Sequence, residues 1–213
     1  MFSTVVVMGE VIKEYILYVD PTRCLGCRAC EIACAVEHSV TKNIYTAILE
    51  TPKPKPRAAV IPVDTLRVPT QCRHCENAPC MAVCPTGAIS KTDEGFIVID
   101  ETKCIGCEMC VVVCPFGHPI FDIERKVVIK CDGCVERFRE GKVPACVEAC
   151  PTGALMFGRI EEIVKLVRTE RAKPFLYEVA YLIPELRAKI PPVKIPVSPL
   201  SKLLEMYKPV KWY

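Results

Sequence analysis

The stretch Cys104-Ile-Gly-Cys107-Glu-Met-Cys110-Val-Val-Val-Cys114-Pro115 decides how this protein folds. Its four cysteines are separated by two, two and three residues, and a proline follows the last one. Three cysteines at intervals of two lie on one tight loop, where Gly106 permits backbone conformations that larger residues avoid. The backbone then enters a helical turn, which carries the fourth thiolate away from the other three. The proline ends that turn and biases Cys114 towards extended geometry.

The rest of the sequence repeats this arrangement, because all 16 cysteines fall into four groups of four. Groups one and three share the C-x2-C-x2-C-x3-C spacing, whereas groups two and four have a longer gap before their third cysteine. In bacterial ferredoxins, three cysteines of such a run bind one [4Fe-4S] cubane and the fourth binds another. The sequence therefore predicts four [4Fe-4S] clusters. The groups are Cys24, Cys27, Cys30, Cys34; Cys72, Cys75, Cys80, Cys84; Cys104, Cys107, Cys110, Cys114; and Cys131, Cys134, Cys146, Cys150.

Other uses of cysteine fit this pattern less well. Zinc ribbons use two isolated C-x2-C pairs, so group four alone is also compatible with a zinc site. Groups one and three are not, since a third cysteine at the same interval crowds a tetrahedral single-ion site. A three-iron cluster needs a missing ligand, and no group lacks one. A disulfide scaffold is typical of secreted proteins, and the N-terminus shows neither a basic region nor a long apolar run.

The composition sets further limits on the function. The 213 residues carry a formal net charge of +3. Each oxidised cubane with its four thiolates contributes about −2, so four clusters bring the total charge to about −5. The apparent basicity is therefore no indication of nucleic-acid binding. No uncharged apolar run approaches the roughly 20 residues of a membrane helix, and we expect a cytoplasmic protein without a membrane span, whose reduced thiols are available to iron.

Short β-hairpins are predicted between the cysteine groups. The first pairs Ala88–Ser90 with Phe96–Asp100, and the second pairs Ile120–Ile123 with Val127–Ile129. A strand over Glu14–Val19, rich in β-branched and aromatic residues, precedes group one. The sequence should therefore alternate cluster loops, short helices and hairpins.

Two segments without cysteines have open roles. The proline-alternating stretch 51–57 is predicted to be an extended linker, either a spacer or an arm that contacts a partner. Apolar residues at helical spacing after Ile160 predict an amphipathic helix that Pro174 closes. Beyond it, residues 190–197 are expected to be extended and 198–207 to form a last helix. This tail either packs across the cluster domains or docks on another subunit.

The four groups, the long insert in the fourth and the segment Gln71-Cys-Arg-His-Cys-Glu-Asn-Ala-Pro-Cys80 resemble a known family. This is the family of electron-transfer iron–sulfur subunits of the dimethyl-sulfoxide-reductase and formate-dehydrogenase type, and the resemblance covers residues 14–158. It implies an α+β fold of two bacterial-type ferredoxin-like domains, each with two [4Fe-4S] clusters, one inserted in the other. The implied segments are 14–50 and 120–158 for the outer domain, 65–119 for the inserted domain and 159–213 for a helical or extended C-terminal extension.

The resemblance also implies which cysteines share a cluster. In that family, groups one and four share one ferredoxin fold, and groups two and three share the other. Each cluster then takes three cysteines from one group and the last cysteine of its partner group. The implied ligand sets are Cys24, Cys27, Cys30 and Cys150 for cluster 1; Cys131, Cys134, Cys146 and Cys34 for cluster 2; Cys72, Cys75, Cys80 and Cys114 for cluster 3; and Cys104, Cys107, Cys110 and Cys84 for cluster 4.

Two short segments, 24–39 and 42–57, are most similar to the iron–sulfur subunit associated with nickel carbon monoxide dehydrogenase. The resemblance implies that the protein is no enzyme itself and carries electrons from a catalytic subunit, here carbon monoxide dehydrogenase, to a hydrogenase, ferredoxin or flavoprotein. Alternative complexes are a formate dehydrogenase, a hydrogenase or a molybdopterin oxidoreductase. A cluster-storage or redox-sensing protein is the alternative of another class. The sequence has no flavin fingerprint and no P-loop.

Basic residues stand next to several of the cysteine ligands in the sequence, and two roles are open for them. Arg28, Arg73 and Lys103 either raise local reduction potentials or are solvated surface charges. His38 and His74 are expected to form hydrogen bonds within their loops. Nearby charge and hydrogen bonds to sulfur are the means by which a protein tunes a cluster, so the positions of these residues matter for the function.

Overall fold

The computed structural model describes residues 6–7, 10–11 and 15–182. The protein divides into two compact units, Met1–Arg159 and Ile160–Tyr213. The predicted extended stretch 190–197 and the predicted helix 198–207 lie outside the described residues.

The first unit consists of short elements joined by long loops. Its strands are β1 Val6–Val7, β2 Glu10–Val11, β3 Tyr15–Val19, β4 Ala59–Val63, β5 Leu66–Thr70, β6 Ile89–Lys91, β7 Ile97–Ile99, β8 Ile120–Asp122, β9 Val127–Ile129 and β10 Leu155–Arg159. Its helices are α1 Ala29–Glu37, α2 Ile44–Ala47, α3 Pro79–Ala82, α4 Met109–Val113, α5 Val135–Arg139 and α6 Ala145–Glu148, with a 3₁₀ turn at Pro21–Arg23.

The strands form two-stranded antiparallel sheets. The two predicted hairpins are present as β6–β7 and β8–β9, each a little shorter than expected. The strand predicted ahead of group one is β3, and its partner is β10, so that Val19 lies opposite Leu155 and Tyr15 opposite Arg159. Strand β3 comes just before the first cysteine group and β10 just after the last one. Their pairing therefore brings together the two ends of the cysteine-bearing region.

Helix packing follows the same pairing of distant segments. Helix α1, which follows the loop of group one, packs against α6 of group four. Helix α3 of group two packs against α4 of group three. Each pair of helices therefore joins the two cysteine groups that the resemblance assigns to one ferredoxin-like domain.

The hairpin β4–β5 was not predicted. Its strands pair Val60 with Pro69 and Val63 with Leu66 around a turn in which Asp64 has a φ of 50°. The prolines at 62 and 69 argue against strands because they cannot donate a ladder hydrogen bond. In a two-stranded sheet, however, each strand has a free edge that needs no donor, so the prolines are tolerated there.

The proline-alternating stretch 51–57 contains no helix or strand and bends at residues 51, 52 and 57. Two of its basic side chains bind other segments of the first unit. Lys55 Nζ donates a hydrogen bond of 2.7 Å to Asp122 Oδ1. The Arg57 guanidinium bridges Glu101 Oε1 at 2.9 Å and Asp132 Oδ2 at 3.1 Å. The stretch therefore acts as a strap that joins the segment before group three to the hairpin and loop at the start of group four, rather than as a free spacer.

The described part of the second unit is helix α7, Ile160–Leu182. The prediction that Pro174 closes this helix was wrong, because the helix continues for two turns beyond it. A proline inside a helix removes one hydrogen bond and costs roughly 3 kcal/mol, but it need not end the helix. Among the helices of residues 15–182, none combines the length and the apolar character that a bilayer crossing demands.

The core of the first unit is small, and two of its three parts contain cysteine. One buried cluster is formed by Ala78, Cys80, Ile89, Ile97, Cys110 and Val128, and a second by Cys30, Val60, Cys146 and Leu155. A third contact group consists of the aromatic rings of Tyr15, Phe96, Phe138 and Phe157, with centroids 4.8 to 6.3 Å apart. In the first two clusters, apolar side chains thus pack around the cysteines, and only the aromatic group lacks them.

Candidate metal centres

All sixteen cysteines are free thiols, and their burial follows their place in each group. The third cysteine of every group is buried and lies at the start of a short helix, as Cys30, Cys80, Cys110 and Cys146 do. The second cysteine is exposed in groups one and three, at Cys27 and Cys107, and less so in the other two groups.

The tight loops require a left-handed backbone at the residue before the second cysteine. Gly26, Gly106 and Gly133 occupy this position with φ of 71°, 68° and 73°. A Cβ at Gly106 would lie 2.5 Å from the carbonyl oxygen of Lys126, so no side chain fits there. Group two has His74 at the same position, with a φ of 45°. A histidine is uncommon in this region of backbone space, though less so than most residues.

Two recesses in the surface are each lined by four cysteines. The first, with about 330 Å³ of empty space partly open to solvent, is lined by Cys104, Cys107 and Cys110 of group three and by Cys84 of group two. The second, of about 350 Å³, is lined by Cys72, Cys75 and Cys80 of group two and by Cys114 of group three. In both recesses, the fourth sulfur comes from the partner group.

The cysteines of groups one and four are interleaved in the same way. Cys30 interacts electrostatically with Cys27 of its own group and with Cys150. Cys34 lies among the first three cysteines of group four and interacts with Cys131, Cys134 and Cys146. This placement does not suit a zinc ribbon made of group four alone, because Cys34 rather than Cys150 accompanies the other three thiols.

Burial raises the pKa of six cysteines and so disfavours their thiolate form in the absence of metal. It raises the pKa of Cys30 and Cys110 to about 11 and that of Cys131 to about 12. The pKa of Cys134 and of Cys146 is raised further by burial and by neighbouring thiols. At neutral pH these groups remain protonated unless a cationic centre displaces the protons, as metal binding does.

Cys84 and Cys150, the last cysteines of groups two and four, behave differently. Burial raises the pKa of both thiols, but hydrogen bonds outweigh it and leave each pKa below its usual value. At Cys84 these bonds come from the Thr86 hydroxyl and from following backbone amides, and at Cys150 from Thr152 in the same manner. The two sites share the sequence Cys-Pro-Thr-Gly-Ala, so this repeat builds the same sulfur environment twice.

The walls of the recesses fit a sulfur-rich group that accepts hydrogen bonds. His118 is buried in the wall of the second recess, and its Nε2 has no hydrogen-bond partner within the described part of the protein. A buried polar atom without a partner is costly, and the sulfur atoms of a cluster would supply the missing acceptor. Together with the all-sulfur donor set, this atom favours an iron–sulfur cluster over an empty cavity.

Backbone amides also point at the ligand sulfurs. The N–H groups of Gly26 and His74 lie 3.4 Å from Cys24 Sγ and Cys72 Sγ, and that of Val128 lies 3.4 Å from Cys104 Sγ. The amide of Arg57, in the strap, lies 3.2 Å from Cys34 Sγ. Hydrogen bonds of this kind favour the reduced, more negative state of an iron–sulfur cluster.

His38 forms hydrogen bonds within its own loop and across to group four. Its Nδ1 lies 2.7 Å from the carbonyl oxygen of Cys34, and its Nε2 lies 3.1 Å from the Asp132 carboxylate. Burial alone would lower the pKa of His38, but the bond to Asp132 raises it to about 10. The predicted loop hydrogen bond of His38 is confirmed, and through it His38 links the backbone of Cys34 to Asp132 of group four.

The basic residues that the sequence singled out lie on the surface, whereas a different one is buried. Arg28, Arg73 and Lys103 are exposed. Lys130, just before group four, is buried with its ammonium group near Cys72 and Cys131. Sequence reasoning missed it because Lys130 and Lys103 occupy the same position before a C-x2-C pair, and only the packing of distant segments distinguishes them.

Comparison with known proteins places this cysteine arrangement among 4Fe-4S proteins. Residues 63–160 match a family model described as a 4Fe-4S dicluster domain, and residues 21–37 match a 4Fe-4S binding domain. Group one lies within the shorter match, and groups two, three and four lie within the longer one. Every cysteine of the sequence therefore falls inside a region that is typical of cluster binding.

Three curated relatives are similar over most of their length. The protein is 39% identical to the thiosulfate reductase electron transfer subunit of Salmonella typhi, over 73% of this sequence and 81% of the relative. It is 42% identical to an iron–sulfur protein of Rhodospirillum rubrum, over 78% of this sequence and 93% of the relative. It is 39% identical to a subunit of the anaerobic dimethyl sulfoxide reductase of Escherichia coli, over 71% of this sequence and 77% of the relative.

Proposed function

The protein belongs to the family of iron–sulfur electron-transfer subunits that includes these reductase subunits, and we propose that it conducts electrons between a catalytic subunit and a separate acceptor. It carries four [4Fe-4S] clusters and is no enzyme by itself, since catalysis in such complexes takes place on the partner subunit. When bound, the clusters supply one-electron carriers. The interleaving of the four cysteine groups is the observation that carries this proposal.

The proposed ligand sets are those that the resemblance implies. Clusters 3 and 4 are supported by the two recesses, each of which is lined by the four expected cysteines. Clusters 1 and 2 are supported by the interactions of Cys30 with Cys150 and of Cys34 with Cys131. The nested domain arrangement, 14–50 and 120–158 around 65–119, is proposed on the same grounds and on the pairing of β3 with β10.

The order of the clusters is proposed from contacts between the sets. Cys30 of set 1 interacts with Cys146 of set 2, and Cys110 of set 4 interacts with Cys80 of set 3. Sets 2 and 3 meet near His74, which contacts both Cys131 and Cys72. These contacts support the order 1, 2, 3, 4. Sets 1 and 4 are then the ends, and they contain the two exposed cysteines.

The end sets carry features suited to contact with partner proteins. Leu25 and Ile105, in equivalent positions beside Cys27 and Cys107, are 74% and 66% exposed. An exposed apolar side chain beside an accessible ligand suits a docking surface across which an electron passes a short distance. We propose that the catalytic subunit binds at one end and the acceptor at the other.

Two candidates are proposed for the catalytic partner. The family favours a molybdopterin oxidoreductase of the reductase type, because two of the relatives reported above are named as reductase subunits. Carbon monoxide dehydrogenase, with a hydrogenase, ferredoxin or flavoprotein as acceptor, is the second candidate, resting on the segments 24–39 and 42–57. The Rhodospirillum rubrum relative, which aligns over 178 residues, carries a name that gives no partner. A formate dehydrogenase or hydrogenase complex, and a cytoplasmic location, stay predictions.

The experiment that tests these assignments is anaerobic purification of the tagged protein from its native host. We expect about sixteen irons per molecule and a co-purifying catalytic subunit. Molybdenum or tungsten in the complex supports the reductase-type partner, whereas nickel together with carbon monoxide oxidation supports the dehydrogenase. A protein that purifies alone and loses iron during cycles of reduction and oxidation contradicts the electron-transfer proposal and supports cluster storage or redox sensing.

A further inference from the structure

Two buried side chains, those of Lys130 and His74, lie between a cysteine of set 2 and a cysteine of set 3. Lys130 is 2% exposed and His74 is 4% exposed. Cys131, which follows Lys130, belongs to set 2, and Cys72, two residues before His74, belongs to set 3. Each of the two side chains therefore comes from the neighbourhood of one set and reaches the sulfur of the other.

The Lys130 ammonium group lies between Cys72 Sγ and the carbonyl oxygens of Ile97 and Cys131. Its Nζ donates to the carbonyl oxygen of Ile97 in a short hydrogen bond, to the carbonyl oxygen of Cys131 at 2.8 Å, and to Cys72 Sγ at 3.7 Å. An ammonium group has three N–H donors and no acceptor, and here it meets three acceptors. A buried cation is costly unless it is fully satisfied, so this site is built to keep it.

The hydrogen bonds of His74 define which ring nitrogen carries the proton. Nδ1 accepts the backbone N–H of Ile97 at 2.9 Å, so Nδ1 is unprotonated and the ring proton is on Nε2. Nε2 lies 3.8 Å from Cys131 Sγ and can only donate to it. The backbone N–H of the same residue donates to Cys72 Sγ at 3.4 Å. His74 thus directs one donor towards each set.

The backbone of His74 has a positive φ, which suggests that the histidine side chain is needed at this position. The other three groups place glycine at the equivalent position, where φ is positive. A residue kept in a rarely populated backbone conformation, where glycine would be free of strain, calls for a compensating role. The contact with Cys131 supplies that role.

We propose that Lys130 and His74 form a junction that raises the reduction potentials of the two inner clusters relative to the two outer ones. This inference rests on the ligand sets proposed above. Reduction adds a negative charge to a cluster, and a buried cation with directed N–H donors stabilises that charge more than an exposed one does. The inner pair is then the favoured place for electrons that enter at either end.

The test compares Lys130→Met with Lys103→Met in the holoprotein. Both lysines precede a C-x2-C pair, but Lys103 is 62% exposed and pairs with Asp100. Midpoint potentials are measured by redox titration followed by electron paramagnetic resonance. We expect Lys130→Met to lower two of the four potentials, each by about a tenfold change in the one-electron equilibrium constant, ~59 mV. Lys103→Met should leave all four potentials unchanged.

A second variant, His74→Asn, removes the side-chain donor to Cys131 and keeps the backbone donor to Cys72. Asparagine tolerates the left-handed backbone, and its side-chain oxygen can still accept the Ile97 amide, but it does not reach Cys131. We expect it to lower only one of the two potentials that Lys130→Met lowers, because the backbone donor to Cys72 remains. Should Lys130→Met lose iron, the single shift in His74→Asn decides the question.

Different outcomes separate this inference from the proposed function. Four clusters with unchanged potentials in both variants, or an equal shift in Lys103→Met, would overturn the junction and leave the electron-transfer function intact. A wild-type protein with fewer than four clusters would instead contradict the ligand sets, and the junction with them.

Discussion

Among single residues, the last cysteine of each group lies in the least expected position. Cys34 and Cys150 lie more than a hundred positions apart, yet each stands among the thiols of the other's group. The three residues before each last cysteine complete a helical turn, which directs its sulfur away from its own loop. With the proposed ligand sets, every cluster site depends on two cysteine groups that are separate in the sequence.

A first prediction concerns the variant Cys150→Ser. Serine is a poor ligand for iron, so this substitution removes one ligand from a cluster. We expect the variant to lose the cluster of Cys24, Cys27 and Cys30, with a fall of about four irons per molecule. Adding Cys27→Ser should cause no further loss, whereas adding Cys134→Ser should remove a second cluster. Iron analysis and the spectra of the reduced protein report the number of clusters. The reverse pattern in the two double variants would show that Cys150 ligates the cluster of its own group.

At the scale of elements, the cluster loops depend on close approach between backbone segments. The loop of group three passes so near the turn between β8 and β9 that Gly106 faces the carbonyl oxygen of Lys126. A hairpin is therefore part of the wall of a cluster site, and its backbone cannot move without moving the ligands. Short hairpins between cysteine groups act as supports for the loops that they separate.

A second prediction uses two glycines with nearly the same backbone. Gly106 and Gly117 have φ of 68° and 62°, but only Gly106 has a neighbouring backbone atom in the space that a Cβ would occupy. Alanine at either position carries the left-handed penalty of about 1–2 kcal/mol. We expect Gly106→Ala to lose the cluster of the first recess, and Gly117→Ala to keep all iron. The iron content of the two purified variants is the measurement, and equal contents would show that strain alone, not the clash, limits the loop.

At the scale of the whole molecule, the clusters take the place of much of the hydrophobic core. Ile97 and Val128, which are among the most completely buried apolar side chains, pack against Cys80 and Cys110. Small metal-binding domains gain much of their folding free energy from the metal. Without iron, the core would consist of a few apolar side chains packed around protonated thiols.

The third prediction follows from this dependence. Removal of iron by a chelator should unfold the first unit, so that the amides of β7 and β9 lose their protection against hydrogen exchange. Reduction and reoxidation without a chelator should leave both iron and protection unchanged, because an electron carrier must survive its own cycle. An iron-free protein that keeps these amides protected would contradict the view that the clusters hold the core together.

The sequence predicted the parts of this protein that depend on local spacing. The groups of cysteines, the glycine turns at Gly26 and Gly106, and the two hairpins all follow from residues that are close in the sequence. The hairpin β4–β5 was missed because its prolines oppose the local pattern, and the end of the helix at Pro174 was misjudged because one unfavourable residue does not outweigh a long helical segment.

What only the tertiary structure decided is which distant residues meet. Lys103 and Lys130 look alike in sequence, but one lies in solvent and the other lies between Cys72 and Cys131. The difference arises from the packing of group four against group two, which no local pattern encodes. The cysteine spacing by itself determined that the protein binds four clusters, because ligand geometry is local, whereas the environment that tunes them depends on long-range contacts.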